Sequence, residues 1–403
     1  MGDFFQNGVI TTFQELGPRN YEQIEAELSK YSRRRPLALV LPCLFSELKG
    51  PAMPRIREEL KKVHYIRKIV VSLGVADEAE FREAKTFFSE LPQDIDILWN
   101  DGHRIENVKI LMRDSNLHLS EPGKGLAAWM AYGYVLAHPE ISVVALHDCD
   151  ILTYDRILLH RLVYPILNPL LDYEFCKGYY ARVNGRLFGR ATRIFVTPLV
   201  RALQKLIGPT PFLSYLDSFR YPLSGEFCMN VDVARINRIP SDWGLEMGTL
   251  AEVYRNYSVR RICQVDLGIE YDHKHQISGS EDPTKGLMRM AHEIAYALFH
   301  ALAAEGLLLP TSFFRSLRAS YLRCAQDAIR QCSDLSMING LEYDRHSEDM
   351  LAESFVRLLE KAGEEFLNNP FGAPQIPNWN RVSAAIPDIF DRIREAVEAD
   401  GKD

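Results

Sequence analysis

Between residues 37 and 146, short and largely apolar runs alternate with charged amphipathic stretches, and no other feature of this 403-residue chain restricts its fold as much. The apolar runs fall at residues 37–41 (LALVL, closed by Pro42), 66–73, 95–99 and 142–146. Helical spacing occupies residues 53–63, 77–91 and 124–137. Apolar runs this short, bounded by turn residues, read as buried parallel strands. Strands alternating with helices imply βαβ units, hence an α/β, Rossmann-like, mixed but mainly parallel sheet flanked by helices. Such sheets place ligands at the carboxyl ends of their strands, so the polar residues just after each run are the ones to inspect.

The flanking regions differ in texture. Residues 1–35 read as a helical lead-in ending in Arg33-Arg34-Arg35, and residues 36–282 as the α/β portion. Residues 283–403 read as a helical C-terminal region, with helices expected over 285–308, 313–332 and 349–368, a Pro-rich connector over 369–378 and a last helix ending near Ala399. That tail suits internal packing or an oligomer surface, and a homodimer is expected. Lys plus Arg total 47 against 54 Asp plus Glu, a net charge of −7, which argues against wrapping nucleic acid. No uncharged apolar stretch approaches the roughly 18 residues that would span a bilayer, so no membrane role is expected. The run over 157–173 is broken by His160, Arg161, Pro165, Pro169 and Asp172. The first 23 residues lack the pattern of a secretory leader, and the seven cysteines form no C-x-x-C pair, so the expected address is the cytoplasm.

The sharpest motif is Val143-Val-Ala-Leu-His-Asp148-Cys-Asp150. In an extended backbone residues i and i+2 point the same way, so Asp148 and Asp150 can converge on one divalent cation. Mg2+ or Mn2+ prefers such hard oxygen ligands and often bridges them to substrate phosphates. The alternative reading of the pair is a helix cap plus a loop carboxylate. Two chemistries use the pair: a nucleotide-sugar glycosyltransferase, whose metal neutralises the diphosphate leaving group, and a haloacid-dehalogenase-like phosphatase with Asp148 as nucleophile. The phosphatase nucleophile normally lies on the first strand, whereas here at least three strand–helix units come earlier.

Other clusters stand in polar segments. Glu121-Pro-Gly123-Lys124-Gly125 leads into a helix, where glycines and an amine would suit a phosphate, although no Walker A loop is present. Arg182, Arg186, Arg190 and Arg193 fall within fourteen residues, and Gly189-Arg190-Ala-Thr192 could grip a small anion; Arg182 and Arg186 read as a solvated face. Gly225-Glu226 and Gly244-Leu-Glu246-Met-Gly248 pair carboxylates with glycines, and Asp272-His273-Lys-His275 offers a third metal ligand.

Taken in order, these pieces resemble the family-81 retaining glycosyltransferases. The matching elements are Leu41-Pro42 with Glu47, Gly123-Lys124-Gly125, Asp148-x-Asp150, Gly189-Arg190-Ala-Thr192 with Thr197-Pro198-Leu199, Gly225-Glu226, Gly244 to Gly248, and Asp266-Leu-Gly268 running into His273. The resemblance implies a GT-A fold and transfer of glucose from a nucleoside diphosphate sugar to 3-phosphoglycerate with Mg2+ or Mn2+. Transfer of glucose or mannose to free glycerate is the neighbouring alternative. It implies Pro42, Glu47, Ser72, Lys124 and Asp148 on the donor, with donor binding over about 36–150. Gly189, Arg190 and Thr192 would lie on the acceptor, within about 151–282. The metal would rest on Asp148, Asp150 and His273, with His275 as rival, and Asp150 and Glu246 would be catalytic. Glu246 is the candidate protein nucleophile, but front-face attack, with Glu246 orienting hydroxyls, is the favoured reading.

Overall fold

Eight strands form one sheet in the order β1-β8-β6-β7-β5-β2-β3-β4. They are β1 (Thr11–Phe13), β2 (Leu37–Leu44), β3 (Ile66–Gly74), β4 (Ile95–Trp99), β5 (Val143–Leu146), β6 (Phe175–Tyr179), β7 (Phe227–Asn230) and β8 (Ile262–Asp266). The computed structural model describes residues 6, 8–17, 20–119, 122–268, 286–370 and 375–402. β7 runs antiparallel to both β5 and β6; every other pair is parallel. The expected mixed, mainly parallel sheet is therefore present.

Strand alternation sorts side chains between two cores. Leu37, Leu39 and Leu41 of β2 face one core, with Val143 and Ala145 of β5. Ala38 and Val40, with Val144 and Leu146, face the other. Helices cover both faces, as a two-sided apolar sheet requires. The first core takes residues of helices Tyr21–Ser32, Ala52–Leu60, Glu78–Phe88 and Arg156–Leu167. The second takes Lys124–Leu136 and most of the C-terminal helices. Local signals fix several helix starts, such as the reciprocal capping box between Asp77 and Glu80.

Three differences from the sequence reading matter. The lead-in is not purely helical, because Thr11–Phe13 pairs with β8 as an edge strand. Pro42 does not close its strand. β2 continues to Leu44 along β3 while β5 stops opposite Val40, so Pro42 sits where one side of β2 is already unpaired. The C-terminal helices Gly286–Ala304, Thr311–Ile338 and Arg345–Asn368 begin near the expected positions, but the second runs six residues past the expected end at 332. The final stretch divides into Trp379–Ala385 and Ile389–Lys402. Among the described residues no helix is long and apolar enough to cross a membrane.

Candidate active site

The parallel strands and the start of antiparallel β7 bring their polar ends to one edge of the sheet. β5 leads there into His147-Asp148-Cys149-Asp150. His147 is buried, and burial pulls its imidazole down to about 4. A neutral ring donates from Nδ1 to the Asp148 carbonyl at 3.0 Å and accepts the Tyr154 hydroxyl at Nε2, 3.2 Å away. Cys149 turns into the opposite core, which leaves the flanking carboxylates half-exposed at the strand tip. Gly225 lies against them. A β-carbon there would stand 2.3 Å from Asp148 Oδ2, so only glycine leaves room for the carboxylate.

Lys124 occupies the first turn of its helix and spans two carboxylates, with Nζ 2.8 Å from Asp148 Oδ1 and 3.0 Å from Glu246 Oε1. Burial opposes its charge, but Asp148 and Glu246 outweigh burial and hold the ammonium well above the ordinary lysine range. The glycines around Lys124 do something other than admit phosphate. A β-carbon on Gly123 would lie 2.4 Å from the Ser241 carbonyl, and one on Gly125 2.0 Å from the Pro240 carbonyl. Gly248 packs on the ring of the same proline, where a β-carbon would meet Cδ at 2.2 Å. The Ser241 carbonyl accepts the Gly125 and Leu126 amides at 3.0 and 3.3 Å. Both glycine-flanked motifs thus clamp one backbone segment, and that clamp brings Lys124 to Glu246. These two amides of the helix start are therefore committed to backbone.

Asp150 has its proton affinity pushed up to about 7, by burial first, then by Asp148, with Glu47 and Glu226 adding and Lys124 opposing. Glu47 stands on the short helix Phe45–Leu48 that follows β2. Sequence reasoning missed Lys177. Its amine is buried in β6 and donates to the Ser224 carbonyl at 2.7 Å, and burial pulls it down to about 8 against the pull of Glu246 and Glu226. A lysine inside the apolar run Phe175–Tyr179 was the available signal.

The arginine-rich segment lies beside this loop. Gly189 has φ +74°, and a β-carbon on it would meet the Tyr221 hydroxyl at 3.3 Å. Arg190 caps a π-helical turn, Ala191–Val196, a form frequent at functional sites. Thr192 Oγ1 is buried with no hydrogen-bond partner. Tyr221–Gly225 therefore connects the two clusters, with Gly189 against its first residue and Asp148 against its last. Arg186 is exposed, with its guanidinium 4.9 Å from the Phe188 ring, as a solvated residue should be.

Other expected residues fall elsewhere. Ser72 is buried, and its hydroxyl donates to the Ala127 carbonyl at 2.9 Å and accepts Asn100 Nδ2 at 2.8 Å, tying β3 to the Lys124 helix. Pro42 sits opposite Ser72 on β2. Glu121, Asp272, His273 and His275 lie outside the described residues. Among the described residues no group of three His, Cys, Asp or Glu side chains is assembled as a metal cage. The donor set at the strand tip still fits Mg2+ or Mn2+. It consists of hard carboxylate oxygens, one seated against Gly225 in space a β-carbon would take and the other raised in proton affinity by burial and by Asp148.

No protein-family model matches the chain. It is 48% identical over 403 residues, the whole of both chains, to a glucosyl-3-phosphoglycerate synthase of Persephonella marina. It is 36% identical to that of Methanococcoides burtonii, across 100% of this chain and 98% of the relative. Two structures of glucosyl-3-phosphoglycerate synthase from Mycobacterium tuberculosis share the fold with TM-score 0.53 at 20% and 19% identity. Each alignment covers 74% of this chain and 88% of the other. One is a complex with Mg2+ and uridine diphosphate; the other holds Mn2+, uridine-diphosphate-glucose and phosphoglyceric acid. The fold of these structures is GT-A, as the resemblance to the family-81 enzymes implied. Identity that extends over the full length of both chains settles the kinship: the chain belongs to the glucosyl-3-phosphoglycerate synthase family.

Proposed function

We propose that this protein is a retaining, family-81 glycosyltransferase that moves glucose from a nucleoside diphosphate sugar to the C2 hydroxyl of 3-phosphoglycerate. One observation carries the reading: in a chain aligned end to end at 48% identity with such a synthase, Lys124 spans Asp148 and Glu246 at the tip of the central strand. The phosphatase alternative has no support in that kinship.

Asp148 and Asp150 would hold Mg2+ or Mn2+, with His273 or His275 as a further ligand. Bound there, the cation supplies charge neutralisation for the departing diphosphate. The chain's own groups do the rest. Lys124 sets a permanent positive charge beside the donor phosphates, fixed before the glycosidic bond breaks and so costing no reorganisation. Glu246 is committed to Lys124, which suits it to orienting hydroxyls rather than attacking the sugar. The acceptor hydroxyl attacks from the face the diphosphate leaves, and its proton passes to the leaving phosphate oxygen. Arg190 and the Thr192 hydroxyl, with the Gly189 backbone, would take the acceptor's anionic groups. Pro42 and Glu47, at the end of β2, would flank the nucleoside. Residues 36–150 would thus handle the donor and 151–282 the acceptor, in a cytoplasmic homodimer.

A mass-spectrometric screen of nucleoside diphosphate sugars against 3-phosphoglycerate and glycerate, with Mg2+ or Mn2+, tests this. The expected product is glucosyl-3-phosphoglycerate, absent with Asp150→Ala. Phosphate release without any sugar nucleotide, or full turnover by a folded Asp150→Ala protein, would contradict it.

A further inference from the structure

The acceptor segment is held from behind by the C-terminal helices, through contacts more than 120 residues distant in sequence. The Glu342 amide donates to the Gly185 carbonyl at 2.9 Å, pairing Arg186 with Glu342 as a β-bridge. The buried Tyr321 hydroxyl donates to the Ile194 carbonyl inside the π-helical turn at 3.0 Å. Glu348, with a side chain only 4% exposed, stands at the start of the helix Arg345–Asn368. It accepts both terminal nitrogens of Arg193 and the Tyr343 hydroxyl, the latter at 2.5 Å. Its Oε1 also lies 3.4 Å from Arg190 Nε.

The division of labour between the two arginines is informative. Arg193 forms a two-pronged pair that neutralises Glu348, and it donates through Nε to the Phe188 carbonyl at 3.0 Å. Arg190 meets the same carboxylate laterally, with Nε facing Oε1. A buried carboxylate beside Nε restricts how the guanidinium plane can turn, and planar recognition of an anion depends on that orientation.

We propose that Glu348 is a positioning residue for the acceptor, holding Arg190 in the plane from which it grips the acceptor's anionic groups. The inference rests on the acceptor-site reading above and goes beyond it by assigning the C-terminal helices a share in acceptor affinity. Two physical roles for Glu348 predict opposite signs. A carboxylate acting only through charge weakens the local positive potential, so its removal would tighten an anionic acceptor. A carboxylate that orients Arg190 does the reverse.

The test is steady-state kinetics at saturating Mg2+ on the parent, Arg190→Ala, Glu348→Gln and Tyr343→Phe, with both KM values and kcat resolved. Glu348→Gln is expected to raise the acceptor KM about tenfold, leave the donor KM within about twofold, and narrow the preference for 3-phosphoglycerate over glycerate. Tyr343→Phe, which removes one hydrogen bond to Glu348, is expected to move the acceptor KM the same way by about threefold. An unchanged or lowered acceptor KM in Glu348→Gln, while Arg190→Ala raises it, overturns the assignment to Glu348. An Arg190→Ala protein with a normal acceptor KM overturns the acceptor site, and this inference with it. If Glu348→Gln does not fold, Tyr343→Phe decides: a raised acceptor KM supports the proposal and an unchanged one overturns it.

Discussion

The two halves of the sheet hold their functional side chains by different means. From β5 to β4 every pairing is parallel, and the site residues follow directly from strand ends: Glu47 after β2, and Asp148 and Asp150 after β5. From β1 to β7 an antiparallel strand interrupts the order, and the polar groups depend on partners far away in sequence. Lys177 is held by Ser224, Gln264 by Thr12 and Ser218, and the Arg190–Arg193 turn by Glu348 and Tyr321. The first half presents Glu47, Asp148 and Asp150 by local backbone geometry; the second sets its polar groups by long-range braces, and Lys124 of the first half borrows such a brace from Pro240 and Ser241.

The sharpest way to break this contrast is at Gly225, where the halves touch. In Gly225→Ala the new methyl would stand 2.3 Å from Asp148 Oδ2, and the carboxylate must swing away. We expect Mn2+ affinity to fall about 100-fold, as loss of a metal ligand's orientation does. The thermal midpoint should fall by only a few degrees, because the clash is relieved by one side chain at the expense of its ion pair with Lys124. Mn2+ titration monitored by electron paramagnetic resonance, with a melting curve, checks both. Unaltered Mn2+ binding would separate Asp148 from the metal.

A smaller kinetic effect is expected at Trp379, which braces the Lys124 helix from the C-terminal region. Its ring stacks on Trp129 with centroids 4.0 Å apart, its Nε1 donates to the Trp129 carbonyl at 3.2 Å, and Gly133 leaves room for it. Trp379→Ala should cost about 3–5 kcal/mol of stability. The folded enzyme should keep both KM values within about threefold, if this brace supports the helix without tuning it. A large rise in donor KM alone would extend to the donor side the control proposed for Glu348.

The same contrast governs what could be read from the sequence. All four strands of the parallel half were legible, since largely apolar, β-branched runs between amphipathic helical stretches carry their own signal. β6, β7 and β8 were not. β4 and β5 are as short, and β3 offers Ile69, Val70 and Val71 beside its buried Lys68, so neither length nor one polar residue alone hides a strand. β6 and β8 combine the two, with a buried Lys177 or Gln264 at the centre of only five residues. Tertiary partners satisfy both side chains, and no local pattern reports such partners. The Asp148, Lys124 and Glu246 motifs were visible individually. The packing of the Lys124 and Glu246 motifs on Pro240 and Ser241 was not, and the glycines expected to face phosphate face backbone instead. Glu348 had no signal at all, being one glutamate in a charged helix.

The central claim is that Asp148 and Asp150 clamp a cation onto the donor's pyrophosphate, and anomalous diffraction from crystals grown with Mn2+ and uridine-diphosphate-glucose tests it most directly. The account predicts a manganese peak bonded to both carboxylates, with the diphosphate alongside and Lys124 in contact with it. Density for the metal and the phosphates away from these two side chains would contradict it.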